Sequence, residues 1–166
     1  MQVPAKRGSA DLLDRPAARE LPNAAGLRAW DSFLRAHATL MRRLELDLAR
    51  ATGLALADFD VLAQLARAGG ELRMTDLANR ALVSRSGMTR RVARLVEEGL
   101  VQRANADADG RGVVVALTDA GVARLTETAP VHLRGVSELF VAQLDEQELA
   151  VLKNALDKVT VDCTFG

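Results

Sequence analysis

Leu27, Trp30, Leu34, His37, Met41, Leu44 and Leu48 recur at spacings of three and four, with Phe33 and Leu40 beside them. This spacing predicts an amphipathic helix of about seven turns that ends near Gly53. At 1.5 Å per residue such a helix spans about 36 Å, more than a small single-chain core covers. Much of its stripe is therefore expected to face a second subunit. A second helix is predicted from Asp58 to Arg67, apolar at Phe59, Leu62, Ala63 and Leu65-Ala66 and stopped by Gly69-Gly70. Thr75 is expected to N-cap a short helix through Ala81 with Leu77, Ala78 and Ala81 inward. Ser84 is expected to cap the next helix, which runs to Glu98 and stops at Gly99 in the C′ position.

Leu100 to Ala104 and Val113 to Leu117 read as two short strands, joined by the turn residues Asn105-Ala106-Asp107-Ala108-Asp109-Gly110. Thr118-Asp119 opens a long helix through Leu139, which Pro130 is expected to bend. Asp145-Glu146-Gln147-Glu148 resembles a capping box and starts a last helix with the stripe Leu149, Leu152, Leu156 and Val159. Residues 1–23 carry Pro4, Gly8, Pro16 and Pro22 without sustained period. They are expected to form a flexible N-terminal arm, in which Lys6 and Arg7 could touch a partner. The fold class is mainly α with a small β-hairpin, and its two short helices followed by a hairpin describe a winged helix-turn-helix.

In that motif the second short helix enters the major groove of DNA. At 100° per residue, Met88, Val92, Leu95 and Val96 gather on the core side, and Ser86, Arg90, Ala93 and Arg94 on the opposite side. Gly87 and Thr89 flank the outer face, and Arg91 falls near the core boundary. From Arg85 to Arg94 there are four arginines and no acid. Arginine can bind guanine through two hydrogen bonds, and the hydroxyls of Ser86 and Thr89 can donate or accept, so these with Arg90 are the expected base readers. Gly87 would leave room for close backbone approach. Arg73, Arg94 and backbone amides at helix starts are expected to hold phosphates. Thr75, Ser84 and Arg85 complete the DNA-facing set. In the wing, Asp109 can hold the Arg111 guanidinium in a fixed pose, and a wing-tip arginine suits the negative minor groove.

Charge, composition and cysteine content narrow the picture. The 166 residues carry 22 basic and 22 acidic side chains, so the positive strip is a local feature of a neutral chain. Aromatics are 3% and tyrosine is absent, which argues against stacking platforms for single strands. No apolar run reaches the roughly 20 residues of a membrane span, and the first residues lack the apolar segment of a secretory signal. A cytoplasmic protein without membrane attachment is expected. The single Cys163 cannot form an intrachain disulfide. His37, His132 and Cys163 show no metal-ligand spacing, and no phosphate loop, nucleophile elbow or His-Glu-x-x-His is present. No cofactor, metal or catalytic residue is expected, and the chain reads as a binding protein rather than an enzyme.

Leu72-Arg73-Met74-Thr75-Asp76-Leu77-Ala78 and Ser84-Arg85-Ser86-Gly87-Met88-Thr89-Arg90 resemble the multiple-antibiotic-resistance regulator (MarR) family. So do Leu95-Val96-Glu97-Glu98-Gly99-Leu100-Val101, Asp109-Gly110-Arg111 and Leu117-Thr118-Asp119-Ala120-Gly121. The resemblance covers about residues 27 to 161, and many relatives carry a further arginine at position 110. It implies a MarR-like domain over 24–166, with a winged core at about 55–117 and dimerisation helices at about 24–52 and 119–161. It further implies a homodimer on a pseudo-palindromic double-stranded operator. Such a protein is usually a repressor, released when a small, often phenolic or anionic, effector binds between the dimer helices and the lobe. Trp30 and His37 share a stripe and could line that pocket or simply pack in an interface. The alternatives are a helical dimeric protein-interaction module without DNA reading, and a metal or redox sensor on the same fold.

Overall fold

The computed structural model describes residues 21–105 and 112–162, so residues 1–20 of the expected arm, the Asp109–Arg111 wing tip and Cys163 lie outside the described residues. The chain forms two compact units, Met1–Thr39 and Leu40–Gly166, and the first helix, α1 (Ala24–Thr52), runs through the boundary. In the first unit Asn23 caps α1 by accepting a hydrogen bond from the Gly26 amide at 2.8 Å. Leu27, Trp30, Phe33 and Leu34 are all exposed there. Trp30, Phe33 and His37 stack in series, with ring centroids 5.9 Å and 6.3 Å apart.

The second unit holds the core. After Gly53, at φ +73°, comes α2 (Leu56–Arg67), whose buried face is Phe59, Val61, Leu62, Ala63 and Leu65. Its N-cap residue is Ala55, which offers no side-chain acceptor. Glu45 of α1 supplies one instead, its carboxylate accepting from the Leu56 amide at 2.9 Å. The Gly70 amide closes the other end on the Leu65 carbonyl at 2.8 Å, with Gly69 and Gly70 both at positive φ.

A short strand, β1 (Glu71–Arg73), then runs straight into α3 (Met74–Arg80). This corrects two expectations. The sheet has three strands, since β1 pairs antiparallel with β3 (Val113–Leu117), which also pairs with β2 (Val101–Asn105). Three residues are too few to show a two-residue period, so β1 left no signal. Thr75 is not the N-cap: pairing with Val114 holds Arg73 extended, and the helix begins directly after it. Thr75 sits in the first turn.

The turn from α3 to α4 (Arg85–Glu97) is made without glycine. Leu82 adopts φ +52° and is 94% exposed, a left-handed conformation that costs a non-glycine residue about 1–2 kcal/mol. Ser84 caps α4 as expected, accepting from the Gly87 amide at 3.2 Å, and Gly99 at φ +72° follows its end. Met88, Val92 and Leu95 are fully buried, whereas Val96, also expected inward, is 38% exposed. It lies 100° beyond Leu95 in the last turn, where the stripe leaves the core.

Thr118 caps α5 (Asp119–Leu139) by accepting from the Gly121 amide at 3.0 Å, and it donates to the Gly99 carbonyl at 2.7 Å. α5 continues through Pro130. After a single 3-10 turn, α6 (Glu146–Asp162) opens on the expected capping box, with Asp145 and Glu148 bonding each other's amides at 2.8 Å and 3.0 Å. No helix among the described residues is long and apolar enough to cross a membrane.

At Gly121 a methyl group would overlap the Leu100 carbonyl oxygen, a backbone atom that cannot step aside. Gly121→Ala is therefore expected to destabilise the fold by about 2–3 kcal/mol, measured as a lowered urea midpoint with unchanged slope. An unchanged midpoint would show that α5 and the α4–β2 turn can separate freely.

Candidate nucleic-acid interface

The buried trio Met88, Val92 and Leu95 fixes the rotation of α4 about its axis. Ser86, Thr89 and Arg90 consequently stand exposed on its outer side, in the first half of the helix. Arg85 is exposed as well. Arg85 and Arg90 make no hydrogen bond or ion pair among the described residues, so both guanidiniums can meet an anion without breaking an existing contact. The small side chains are more constrained. Thr89 donates its hydroxyl to the Arg85 carbonyl at 2.9 Å, which leaves its oxygen outward as an acceptor. The Ser84 and Ser86 hydroxyls lie 3.3 Å apart and share one hydrogen bond.

Gly87 has a local reason within the helix. It is half-buried, and a Cβ there would come 2.9 Å from Val83 Cγ1 and 3.1 Å from Ser84 Oγ. The absent side chain makes room for the helix cap. Arg73 is exposed at the β1–α3 junction, and Thr75 is exposed in the first turn of α3. These elements bring Arg73, Thr75 and the α4 residues into one lobe; the described residues do not include Arg111 or Asp109.

Two residues that matter to this surface escaped the sequence reading. Asp58, on α2, is only 4% exposed. It accepts from Arg91 Nη1 at 2.9 Å, and Arg94 Nη2 binds both its carboxylate oxygens. The hydrogen bonds and charge of Asp58 raise the Arg94 pKa further above its already high value. Arg94 is thus occupied at its inner edge while its side chain remains 51% exposed. The second residue is Arg103 of β2, whose guanidinium donates to the Thr89 carbonyl at 3.0 Å and ties β2 to α4. An acid on an apolar helix face with basic residues 33 and 36 positions later could have flagged the first. Nothing local flags the second.

Away from α4, the second unit contains a cavity of about 560 Å³. It is lined by Met41, Glu45, Leu56, Ala57, Phe59, Asp60, Ala63, Arg67 and His132. Neither Trp30 nor His37 is among these lining residues. The His132 ring packs on Phe59 with centroids 4.5 Å apart. Its Nδ1 is buried and has no hydrogen-bond partner among the described residues. Burial lowers the His132 pKa, Arg67 adds to the lowering, and Asp60 opposes it. Among the described residues, no group of three or more His, Cys, Asp or Glu converges as metal ligands.

Asp58→Asn is expected to destabilise the protein by about 2–3 kcal/mol. Loss of a buried ion-pair partner costs more, but the exposure of Arg94 reduces the effect. The measurement is urea denaturation at pH 7, and a change below about 0.5 kcal/mol would reduce the clamp to a surface contact. The lowered His132 pKa has a definite sign: below about 6.5 the unfolded chain takes up the proton first. The stabilisation is complete above that pH and is lost as pH falls through the lowered folded value. Glu45 and Asp60 also face this site, so the comparison is between the wild type and His132→Phe. The variant is expected to lose less stability between pH 7 and pH 5, and parallel curves would reject the assignment.

Comparison with known proteins agrees with this geometry. Residues 52–112 match the model of the MarR family. The chain is 33% identical over 106 residues to an HTH-type transcriptional regulator of Bacillus cereus, a match covering 64% of this chain and 69% of the relative. AbsC, a MarR family transcriptional regulator from Streptomyces coelicolor, superimposes with a TM-score of 0.79 at 28% identity, over 86% of this chain and 97% of AbsC. Another Streptomyces coelicolor regulator of that family, solved in complex with DNA, gives a TM-score of 0.81 at 30% identity over 88% of this chain and 96% of its own. The outward Ser86, Thr89 and Arg90 on an inward-locked helix, together with these matches, establish that the chain belongs to the MarR family of DNA-binding transcription regulators.

Proposed function

We propose that the protein is a cytoplasmic homodimeric repressor that reads a pseudo-palindromic operator and releases it when a small molecule occupies the cavity beside His132. The observation that carries this reading is the division of α4 into a fully buried apolar side and an exposed side bearing Ser86, Thr89 and Arg90. Arg90 makes the bidentate contact with guanine, and Thr89, its proton already used, accepts from a base amino group. Arg73 and Arg85 hold phosphates, joined by the outer edge of Arg94 and by backbone amides near Thr75 and Ser84. Arg111, steadied by Asp109, reaches the minor groove.

Dimer formation is supported by exposed apolar side chains along α1, including Leu27, Trp30, Phe33 and Leu34, and on α6, including Val151, Leu156 and Val159. Such faces are covered when a second copy packs on them. Two lobes would then meet successive major grooves, about 34 Å apart. An effector acts by favouring a lobe arrangement that misses this spacing. The chemistry is binding, and no turnover is required.

Footprinting on DNA fragments is expected to give one protected site with two related half-sites. On that site Arg90→Ala is expected to cost about 1–3 kcal/mol, with little loss on random DNA. Wild-type affinity should fall steeply with salt because phosphate contacts release counterions. An equal loss on both DNAs would make Arg90 a phosphate contact. Absence of any salt-dependent duplex binding would remove the repressor reading and favour a protein-interaction role for the same fold.

A further inference from the structure

We propose that a second groove, between α1 and α5, binds an acidic amino acid, a compound with two carboxylates and one ammonium group. This site is separate from the cavity beside His132 and does not depend on the effector reading above.

The groove encloses about 400 Å³ and shares no lining residue with the His132 cavity. The two lie on different sides of α1, because Asp47 in the groove stands about 200° round the helix from Glu45 in the cavity. Close packing fixes the floor of the groove. A Cβ at Gly135 of α5 would come 2.7 Å from Leu44 Cδ2 of α1, so the helices already touch there and the groove cannot close further.

The charged lining decides the ligand. Arg43, Arg50, Arg134, Asp47 and Glu138 all face the groove. Asp47 is already met by Arg43 at 2.8 Å within α1. The side chains of Arg50, Arg134 and Glu138 make no hydrogen bond or ion pair among the described residues. Arg134 precedes Glu138 by one turn, the order in which oppositely charged helix neighbours pair less well. The open groups are therefore one guanidinium on each wall and one carboxylate.

A guanidinium takes a carboxylate through two parallel hydrogen bonds. Arg50 on α1 and Arg134 on α5 belong to different helices, so two separate carboxylates suit them better than one compact anion. Glu138 disfavours a third negative charge and accepts hydrogen bonds from an ammonium group. A ligand with two carboxylates and one ammonium meets every open group and leaves no charge unmatched. An apolar or purely anionic compound does not.

The test titrates free L-glutamate calorimetrically into the full-length protein at pH 7.5 and low ionic strength, where charge contacts are least screened. Glutarate, which lacks the ammonium group, and L-glutamine, which lacks one carboxylate, are the comparisons. Glutamate is expected to bind at least fivefold more tightly than either. Arg50→Gln and Arg134→Gln should each weaken glutamate at least fivefold. Glu138→Gln should reverse the preference, so that glutarate binds more tightly than glutamate. All three substitutions fall at exposed positions, and an unchanged urea midpoint verifies that each variant folds. The assignment is overturned if glutamate does not bind or if either comparison compound binds as tightly. It is equally overturned if both arginine variants bind glutamate like the wild type, or if Glu138→Gln keeps the original order.

Discussion

Asp58 holds α4 in place against α2. Its carboxylate, almost wholly removed from water on α2, is gripped by Arg91 and Arg94 from successive turns of α4. A buried charge of this kind is costly unless its partners are in place, so α4 cannot slide or rotate without exposing the cost. Packing of Met88, Val92 and Leu95 sets the same rotation through apolar contacts. The outward direction of Ser86, Thr89 and Arg90 thus has two independent causes, one electrostatic and one steric. Arg103 adds a third tie from the wing strand to the Thr89 carbonyl.

The division of labour among the arginines follows from this. Of the four that α4 carries between positions 85 and 94, Arg91 and Arg94 bind Asp58, Arg94 with its side chain still half exposed, while Arg85 and Arg90 are exposed and unpaired among the described residues. Apart from the outer edge of Arg94, the charge that binds the helix to its own protein is therefore distinct from the charge open to a polyanion. This arrangement lets an electrically neutral chain present a concentrated positive surface at one place. The inner pair also keeps the acid of α2 from cancelling that surface.

Much of this was legible from residue order. Helix ends marked by local chemistry, namely Ser84, Thr118, Asp145-Glu148 and Gly99, lie where the pattern puts them, because capping depends only on neighbours in sequence. Features that depend on distant partners were not. β1 exists because β3 offers it hydrogen bonds, and that pairing also displaces the cap expected at Thr75. The α2 N-terminus is capped by Glu45, eleven residues earlier on another helix. The α3–α4 turn uses Leu82 at positive φ, a conformation that glycine adopts more readily and that no residue type in the turn announces. The exposed face of α4 was visible in its period, but the Asp58 clamp and the His132 cavity come from packing that no single helix records.

Thr118 sits where three elements meet. Its hydroxyl bonds the Gly99 carbonyl just past α4, its amide bonds the Leu100 carbonyl that leads into β2, and its oxygen caps α5. With no side chain at Gly121, the α5 backbone rests directly on Leu100. This joint has no slack, so a tilt of α5 cannot be absorbed at its own start. α4 and β2 must swing with it as one piece, and a displacement of a few tenths of an ångström at the joint grows with distance along them. Small motions of α5 are in this way geared to larger ones at the exposed face of α4.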